Sequence, residues 1–389
     1  MSRLVQLPID AQLPEIIEAL RENASLVLLA PPGAGKTTRV PSALLNADLF
    51  DEGRILVLQP RRVAARTTAR RIAWERGEEI GGMVGYRVRF EKKTSAATRL
   101  EIVTEGLLTR RLQSDPFLEG VACVIFDEFH ERSLNADLGL ALVREIQRDV
   151  RPELKIVIMS ATLDPGPIAD WLGAPTISVP GRTYPVEISY DPQPSTKRTA
   201  ERVSSAITRA LREHSTGHIL AFLPGVGEIN RCLDLLDSIE GAEVIPLHGR
   251  LPPKAQDRAF AELGRRKIIL STNIAETPVT IDGVEVVIDS GLERQPRFDR
   301  AVGLERLETV RISRASADQR AGRAGRTGPG LCRRLWTESA HRGLATSIRP
   351  EVQRVDLCRA VLEVHAWGSS PEEFGWFEAP QTEIIEAAR

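Results

Sequence analysis

Short apolar runs recur along this 389-residue chain and alternate with stretches whose apolar positions fall at helical spacing. The runs at 25–30, 55–59, 99–103, 121–126 and 155–160 predict strands. They are continuously apolar rather than alternating, as expected of strands covered on both faces in a parallel sheet flanked by helices. Pro180, Gly181, Arg182, Thr183, Tyr184 and Pro185 read as a linker, after which the alternation restarts. Runs at 185–190, 218–223, 243–247, 268–271 and 284–289 predict a second sheet of the same kind. The fold class is therefore α/β, with two tandem parallel-sheet domains. Within 297–314, the turn at Ala301, Val302, Gly303 and Leu304, followed by partial alternation from Leu307 to Ile312, predicts a β-hairpin.

The polar residues that stand out fall at strand ends, where open α/β sheets place their ligands. After the first run comes Ala30-Pro31-Pro32-Gly33-Ala34-Gly35-Lys36-Thr37-Thr38, leading into a helical segment. A glycine-rich turn there points backbone N–H groups at an anion, and the helix start adds its positive dipole end. Lys36 would reach the β- and γ-phosphates, and the Thr37 hydroxyl would ligate Mg²⁺. Ala30 stands where the strict pattern has its first glycine. Without other support the loop could be a glycine-rich turn with a solvated lysine.

The fourth run ends in Asp127-Glu128-Phe129-His130. Two adjacent carboxylates at the end of a buried strand are costly unless a cation is there to serve. Asp127, with Thr37 and Glu128 beside it, is the candidate Mg²⁺ ligand, and Glu128 would orient the attacking water. His130 reads as a contact between domains. Gln59-Pro60-Arg61-Arg62 after the second run could clamp a phosphodiester or be a solvated first turn. Thr104-Glu105-Gly106 at a helix start also suits a phosphate. In the second domain, Gln319, Arg323 and Arg326 follow helical spacing and would share one face of a helix starting near Gln319. They read as a γ-phosphate sensor or as a basic solvated face. Thr272 and Asn273 follow a strand, and Asp282 is a candidate ribose contact.

Composition narrows the partners. The net charge of −1 advertises no global basic field, so any nucleic-acid surface must be local. Only seven of the 52 basic residues are lysine, a bias that a GC-rich genome accounts for. Cys123, Cys232, Cys332 and Cys358 are far apart and read as reduced thiols, consistent with a cytoplasmic location. No apolar run reaches the ~20 residues of a membrane span.

Taken in order, these segments resemble the superfamily 2 helicases of the DEAH type, most nearly their bacterial HrpB branch. The matches are the phosphate loop, QPRRVAAR at 59–66, TEGLL at 104–108, DEFH at 127–130, SAT at 160–162, FLPGVGEI at 222–229, STNIAET at 271–277 and QRAGRAGRTGPG at 319–330. Phe129 replaces the alanine of the name-giving motif. The resemblance implies two RecA-like domains, 1–180 and 181–345, then the start of a winged-helix domain at 346–389 with a first helix over Val352–Trp367. It implies that Arg71 and Phe260 sandwich the nucleotide base, and that Arg61, Arg89, Thr104, Thr272 and Asn273 line a single-strand channel. The nucleotide site then comprises Pro32, Gly33, Ala34, Gly35, Lys36, Thr37, Thr38, Arg71, Phe260 and Asp282. Catalysis falls to Glu128, Gln319, Arg323, Arg326 and Lys36.

The expected function is a 3′-to-5′ NTP-dependent helicase or translocase using ATP or other NTPs with Mg²⁺. RNA is expected over DNA as the strand. The chain is expected to be a bacterial cytoplasmic monomer, open to an accessory activator and with no membrane partner. The rivals are a nucleotide-gated RNA clamp that does not unwind, and a small-molecule kinase.

Overall fold

The computed structural model describes residues 6–47, 49–50, 53–181, 184–237, 239–276, 281–299 and 302–389. Arg182 and Thr183 of the expected linker, Thr277, Thr280 and the hairpin residue Ala301 lie outside the described residues.

The first sheet contains β1 (Ser25–Leu29), β2 (Arg54–Gln59), β3 (Val84–Val88), β4 (Glu91–Lys93), β5 (Leu100–Thr104), β6 (Val121–Phe126), β7 (Lys155–Ser160) and β8 (Thr176–Ser178). Their order is β4-β3-β5-β2-β6-β7-β1-β8. All neighbours are parallel except the β3–β4 pair. The five expected strands are all present. β3 was not expected because Gly85 and Arg87 interrupt its apolar pattern. A Cβ on Gly85 would lie 2.5 Å from the Lys93 carbonyl, so the tight β3–β4 return requires glycine there. β4 and β8 have three residues each, too few to show a period.

The second sheet contains β9 (Val186–Tyr190), β10 (His218–Phe222), β11 (Ala242–Leu247), β12 (Arg266–Ser271), β13 (Val284–Asp289) and β16 (Gly330–Arg334). The order is β11-β12-β10-β13-β16-β9, parallel throughout. β16 escapes an apolar-run reading because it ends in two arginines. Arg334 is nonetheless buried, its guanidinium donating to Asp318 Oδ1 at 2.7 Å and the Tyr190 hydroxyl at 2.8 Å. Between β13 and β16 the expected hairpin is present as β14 (Leu292–Asp299) and β15 (Leu304–Arg311), starting five residues earlier than 297.

The chain divides into two compact units. One is 1–182 with 297–305 and 349–389; the other is 183–296 with 306–348. The C-terminal segment, expected as a separate domain start, thus groups with the first sheet. Val352, Leu357, Val361, Val364, Phe374 and Trp376 share one apolar cluster with Leu108, Phe126, Phe129, Leu138 and Leu142. Each such buried side chain contributes about 2 kcal/mol, so this segment is firmly held. The single helix expected over 352–367 is a 3-10 turn, Glu351–Gln353, then a helix, Cys358–Ala366. Between the two pieces, Asp356 Oδ1 accepts from the Cys358 N–H at 2.9 Å. No helix among the described residues is long and apolar enough to cross a membrane.

Candidate active site

Strand order explains how distant motifs meet. β6, β7 and β1 are adjacent, so the segments leaving their carboxyl ends converge. The phosphate loop leaves β1 and enters the helix Lys36–Asn46 through Gly35, whose φ of 96° lies in the left-handed region. Gly33, beside Pro32, has a φ of 85°. The Ala34 N–H donates to the Pro31 carbonyl at 3.1 Å, and the Thr38 N–H to the Gly35 carbonyl at 3.2 Å. The loop is closed from outside by the Ile9 N–H on the Ala34 carbonyl, 3.1 Å.

Asp127 and Glu128 leave β6 and face this loop. Lys36 Nζ lies 3.1 Å from Glu128 Oε1, with both side chains about 5% exposed. The Thr37 hydroxyl donates to Asp127 Oδ2 at 2.7 Å, and Gln59 Nε2 donates to the same oxygen at 2.7 Å. The Glu128 N–H donates to Asp127 Oδ1 at 2.9 Å. Burial, followed by the neighbouring Glu128 charge, pushes Asp127 up to about 6, while Lys36 and the hydrogen bonds pull it down. A carboxylate and a hydroxyl converging in this way are hard oxygen donors. They fit Mg²⁺, which takes one or two protein carboxylates and completes its shell from water and phosphate. Gln59 was not assigned a role from sequence, although it ends β2 beside β6; its amide fixes the Asp127 carboxylate.

Glu128 adopts a left-handed conformation, φ 54°, at the start of the 3-10 turn Phe129–Glu131. His130, expected as an interdomain contact, sits within the first unit between two motifs. Its Nδ1 is 3.5 Å from Glu128 Oε2 and 3.4 Å from Ser160 Oγ and the Ala161 N. It therefore joins DEFH to SAT.

The other half of the same sheet edge carries the expected strand-contacting residues. β2, β5 and β3 are adjacent, so Arg61, Thr104 and Arg89 follow neighbouring strand ends. Arg61 is held by Glu131 at 3.1 Å. Thr104 is the N-cap of the helix Glu105–Ser114, and its hydroxyl makes no capping bond. Arg89 stacks over Phe90 at 4.7 Å, and Phe90, with φ 69°, is 89% exposed at the turn. Arg71 lies on the open side of the helix Arg62–Arg76, bonded to Glu75 at 2.7 Å and 4.8 Å over the Trp74 ring.

Glu105, next to Thr104, is fully buried and accepts a hydrogen bond from the Ser133 hydroxyl. Burial, with the carboxylates of Glu131, Glu351 and Asp137 nearby, raises it to about 8 despite that bond. A carboxyl whose folded value lies above its unfolded one binds its proton more tightly when folded. Its contribution to stability is complete below about 4.5 and declines as pH rises towards 8. Glu105→Gln should therefore melt close to the parent at pH 5 and be more stable than it by about 4 kcal/mol at pH 9. A melting-temperature difference that stays flat between these pH values would refute the assignment.

In the second unit the arginine segment differs from expectation. The helix is Arg314–Ala321, capped by the Ser313 hydroxyl accepting from the Ser316 N–H at 3.1 Å. Gln319 lies in its last turn and is buried, but Arg323 and Arg326 lie beyond its end. They do not share a helix face with Gln319. The chain turns tightly instead, with N–H to carbonyl bonds from Arg323 to Arg320, 3.1 Å, and from Ala324 to Ala321, 3.0 Å. Gly325 requires this: a Cβ there would lie 2.7 Å from the Tyr184 carbonyl. Arg323 Nε donates to the Glu276 carbonyl at 3.0 Å, which ties this turn to STNIAET. Arg320, passed over in the sequence, is the buried centre of the region, with Glu276 at 2.8 Å, Asp289 at 3.0 Å and Glu293 at 3.5 Å.

Thr272 and Asn273 follow β12, with the Thr272 N–H on the Leu247 carbonyl at 3.2 Å. Phe260 ends the helix Pro253–Phe260 and is half-buried; Asp282 is exposed in the turn before β13. The buried Lys267 links the two. Its Nζ donates to the Ala259 and Ala261 carbonyls on either side of Phe260, both at 3.1 Å, and it feels the Asp282 charge.

Known proteins share this layout. Residues 11–170 match the family described as DEAD/DEAH box helicase, and 202–328 match the helicase conserved C-terminal domain. The chain is 45% identical, over 98% of its length and 48% of the relative's, to the ATP-dependent RNA helicase HrpB of Escherichia coli (strain K12). It is 38% identical, over 98% of its length and 34% of the relative's, to the pre-mRNA-splicing factor ATP-dependent RNA helicase prp22 of Schizosaccharomyces pombe (strain 972 / ATCC 24843). The crystal structure of the Escherichia coli DEAH/RHA helicase HrpB superposes with a TM-score of 0.93 at 44% identity, covering 98% of this chain and 49% of that one. The chain thus spans about half the length of HrpB. Phosphate loop, carboxylate pair, SAT and arginine segment stand in order on two parallel sheets, and the chain is similar to the DEAD/DEAH box helicases over 11–170, to the helicase conserved C-terminal domain over 202–328, and to HrpB along nearly its whole length.

Proposed function

We propose that this chain hydrolyses ATP, and other NTPs, to translocate 3′-to-5′ along single-stranded nucleic acid, RNA in preference to DNA, as a cytoplasmic enzyme. The observation that carries the reading is the cluster of Lys36, Thr37, Asp127 and Glu128, held by Gln59 and His130. It has a cation for phosphate, hard oxygen donors for Mg²⁺, and a second carboxylate placed to orient water. The loop amides and Lys36 bind the phosphate chain. Thr37 and Asp127 would hold Mg²⁺, which when bound would neutralise charge on the phosphate oxygens. Glu128 accepts a proton from the attacking water. Gln319 is assigned to orient water, and Arg323 and Arg326 to offset the charge on the transferring phosphoryl group. Arg71, Phe260 and Asp282 take the base and ribose; stacking on a π-face discriminates little between NTPs. Arg61, Arg89, Thr104, Thr272 and Asn273 grip the strand backbone.

The deciding measurement is NTP turnover with and without single-stranded RNA and DNA, followed by strand displacement on tailed duplexes. Stimulation by RNA with release of a single strand supports the proposal. NTP-dependent binding without release supports a clamp. A phosphorylated metabolite with no response to nucleic acid supports a kinase. Arg323→Ala is expected to lower hydrolysis by about 10²-fold while NDP affinity stays within about twofold. Equal losses of hydrolysis and NDP affinity would argue against a γ-phosphate contact.

A further inference from the structure

The turn that aims Glu128 is strained at both ends. Glu128, φ 54°, and Arg132, φ 47°, are two of only four non-glycine residues with positive φ among the described residues. Each such conformation costs about 1 kcal/mol and persists only where the surroundings impose it. Inside the turn the restraints are local: the Glu131 N–H on the Glu128 carbonyl, 2.9 Å, and the Arg132 N–H on the Phe129 carbonyl, 3.0 Å.

Further restraints come from Asp137 and from residues far along the chain. The buried Arg132 guanidinium donates to both Asp137 oxygens, at 2.8 and 3.2 Å, and to Glu378 Oε1 at 2.6 Å. It lies over two rings, Phe129 at 5.5 Å and Phe377 at 4.8 Å. The Arg132 carbonyl accepts from the Glu351 N–H at 2.9 Å, and Glu351 Oε2 accepts from the Leu134 N–H at 3.0 Å. Phe377 also meets Phe129 directly, with ring centroids 6.4 Å apart. The C-terminal segment thus grips the residue after Glu128 and the far end of its turn.

We infer that Arg132 is a positioning residue for NTP hydrolysis, and that its contacts with Phe377 and Glu378 make the C-terminal segment a control element for the Glu128 turn. A ligand or domain that shifts residues 377–378 would change the turnover rate without touching the nucleotide. The inference rests on the role proposed above for Glu128.

Glu378→Gln and Phe377→Ala test it, because Glu378 is 41% exposed and the glutamine keeps its shape. Both variants should lower kcat by about three- to tenfold with KM for NTP within about twofold, and Glu378→Gln should do so with little change in melting temperature. Arg132→Lys, which keeps charge but loses the fork and the ring stacking, should lose about tenfold. Adding Glu378→Gln to Arg132→Lys should cost little more, since both break one linkage. Hydrogen exchange at the Glu131 and Arg132 amides should quicken in Glu378→Gln and Phe377→Ala. This readout needs no turnover, so it tests the mechanical coupling even if the parent protein proves not to be an NTPase. Wild-type kcat with unchanged exchange in both C-terminal variants overturns the inference. So does a fall in kcat, nucleotide affinity and melting temperature together, which is the pattern of general destabilisation.

Discussion

Glu128→Gln is expected to lower steady-state NTP hydrolysis by about 10³-fold while nucleotide affinity is kept or slightly raised. The carboxylate lies in the left-handed turn after β6, and its two oxygens are placed differently. One is 3.1 Å from Lys36 Nζ, the other 3.5 Å from His130 Nδ1. The amide keeps the shape of the side chain but cannot take a proton from water. It also withdraws the negative charge that competes with a phosphate for Lys36, so binding loses nothing. The same change removes the like charge that helps to push Asp127 upward, which favours its ionised, metal-holding form. Phosphate release and the binding of a fluorescent nucleotide analogue measure the two quantities separately. Turnover near that of the parent would remove Glu128 from the reaction, and a parallel loss of binding would make it part of the nucleotide pocket instead.

The site around Glu128 was legible because its chemistry is local in sequence. A phosphate loop needs its glycines and lysine consecutively, and the buried carboxylates needed only an apolar run before them. What could not be read there depends on strand order. Gln59 reaches Asp127 because β2 pairs with β6, although 68 positions separate the two residues. Arg132 meets Glu378 across 246 positions, and neither residue breaks a local pattern. β16 was hidden for a related reason, since its buried arginine looks like surface until Asp318 and Tyr190 are placed beside it. The arginine segment shows the opposite error. Helical periodicity does not run through Gly322 and Gly325: the helix stops at Ala321, and the tight turn beyond it separates Arg323 and Arg326 from Gln319.

In the same segment Arg320 is the buried centre of a cluster of carboxylates. Arg320→Met is expected to destabilise this unit by about 3–5 kcal/mol at neutral pH. The guanidinium is 1% exposed and lies among Glu276, Asp289 and Glu293, with Nη1 also on the Leu292 carbonyl at 3.2 Å and the Phe222 ring 4.9 Å below it. Methionine fills much of the volume but leaves three carboxylates crowded in a place where burial already raises Asp289, opposed first by the Arg320 charge and then by the Gly291 N–H on Asp289 Oδ1 at 2.8 Å. Without that cation the folded pKa of Asp289 rises further above its unfolded value. The folded unit then binds protons more tightly, and the deficit grows as pH rises and shrinks as it falls. Arg320→Met should therefore lie closer to the parent at pH 5 than at pH 8. Hydrogen exchange followed by mass spectrometry localises the effect: amides of β10, β12 and β13 should lose protection while those of β1 and β6 keep it. A variant as stable as the parent, or one whose deficit does not change with pH, would show that the carboxylates find other partners and that Arg320 is not their counter-charge.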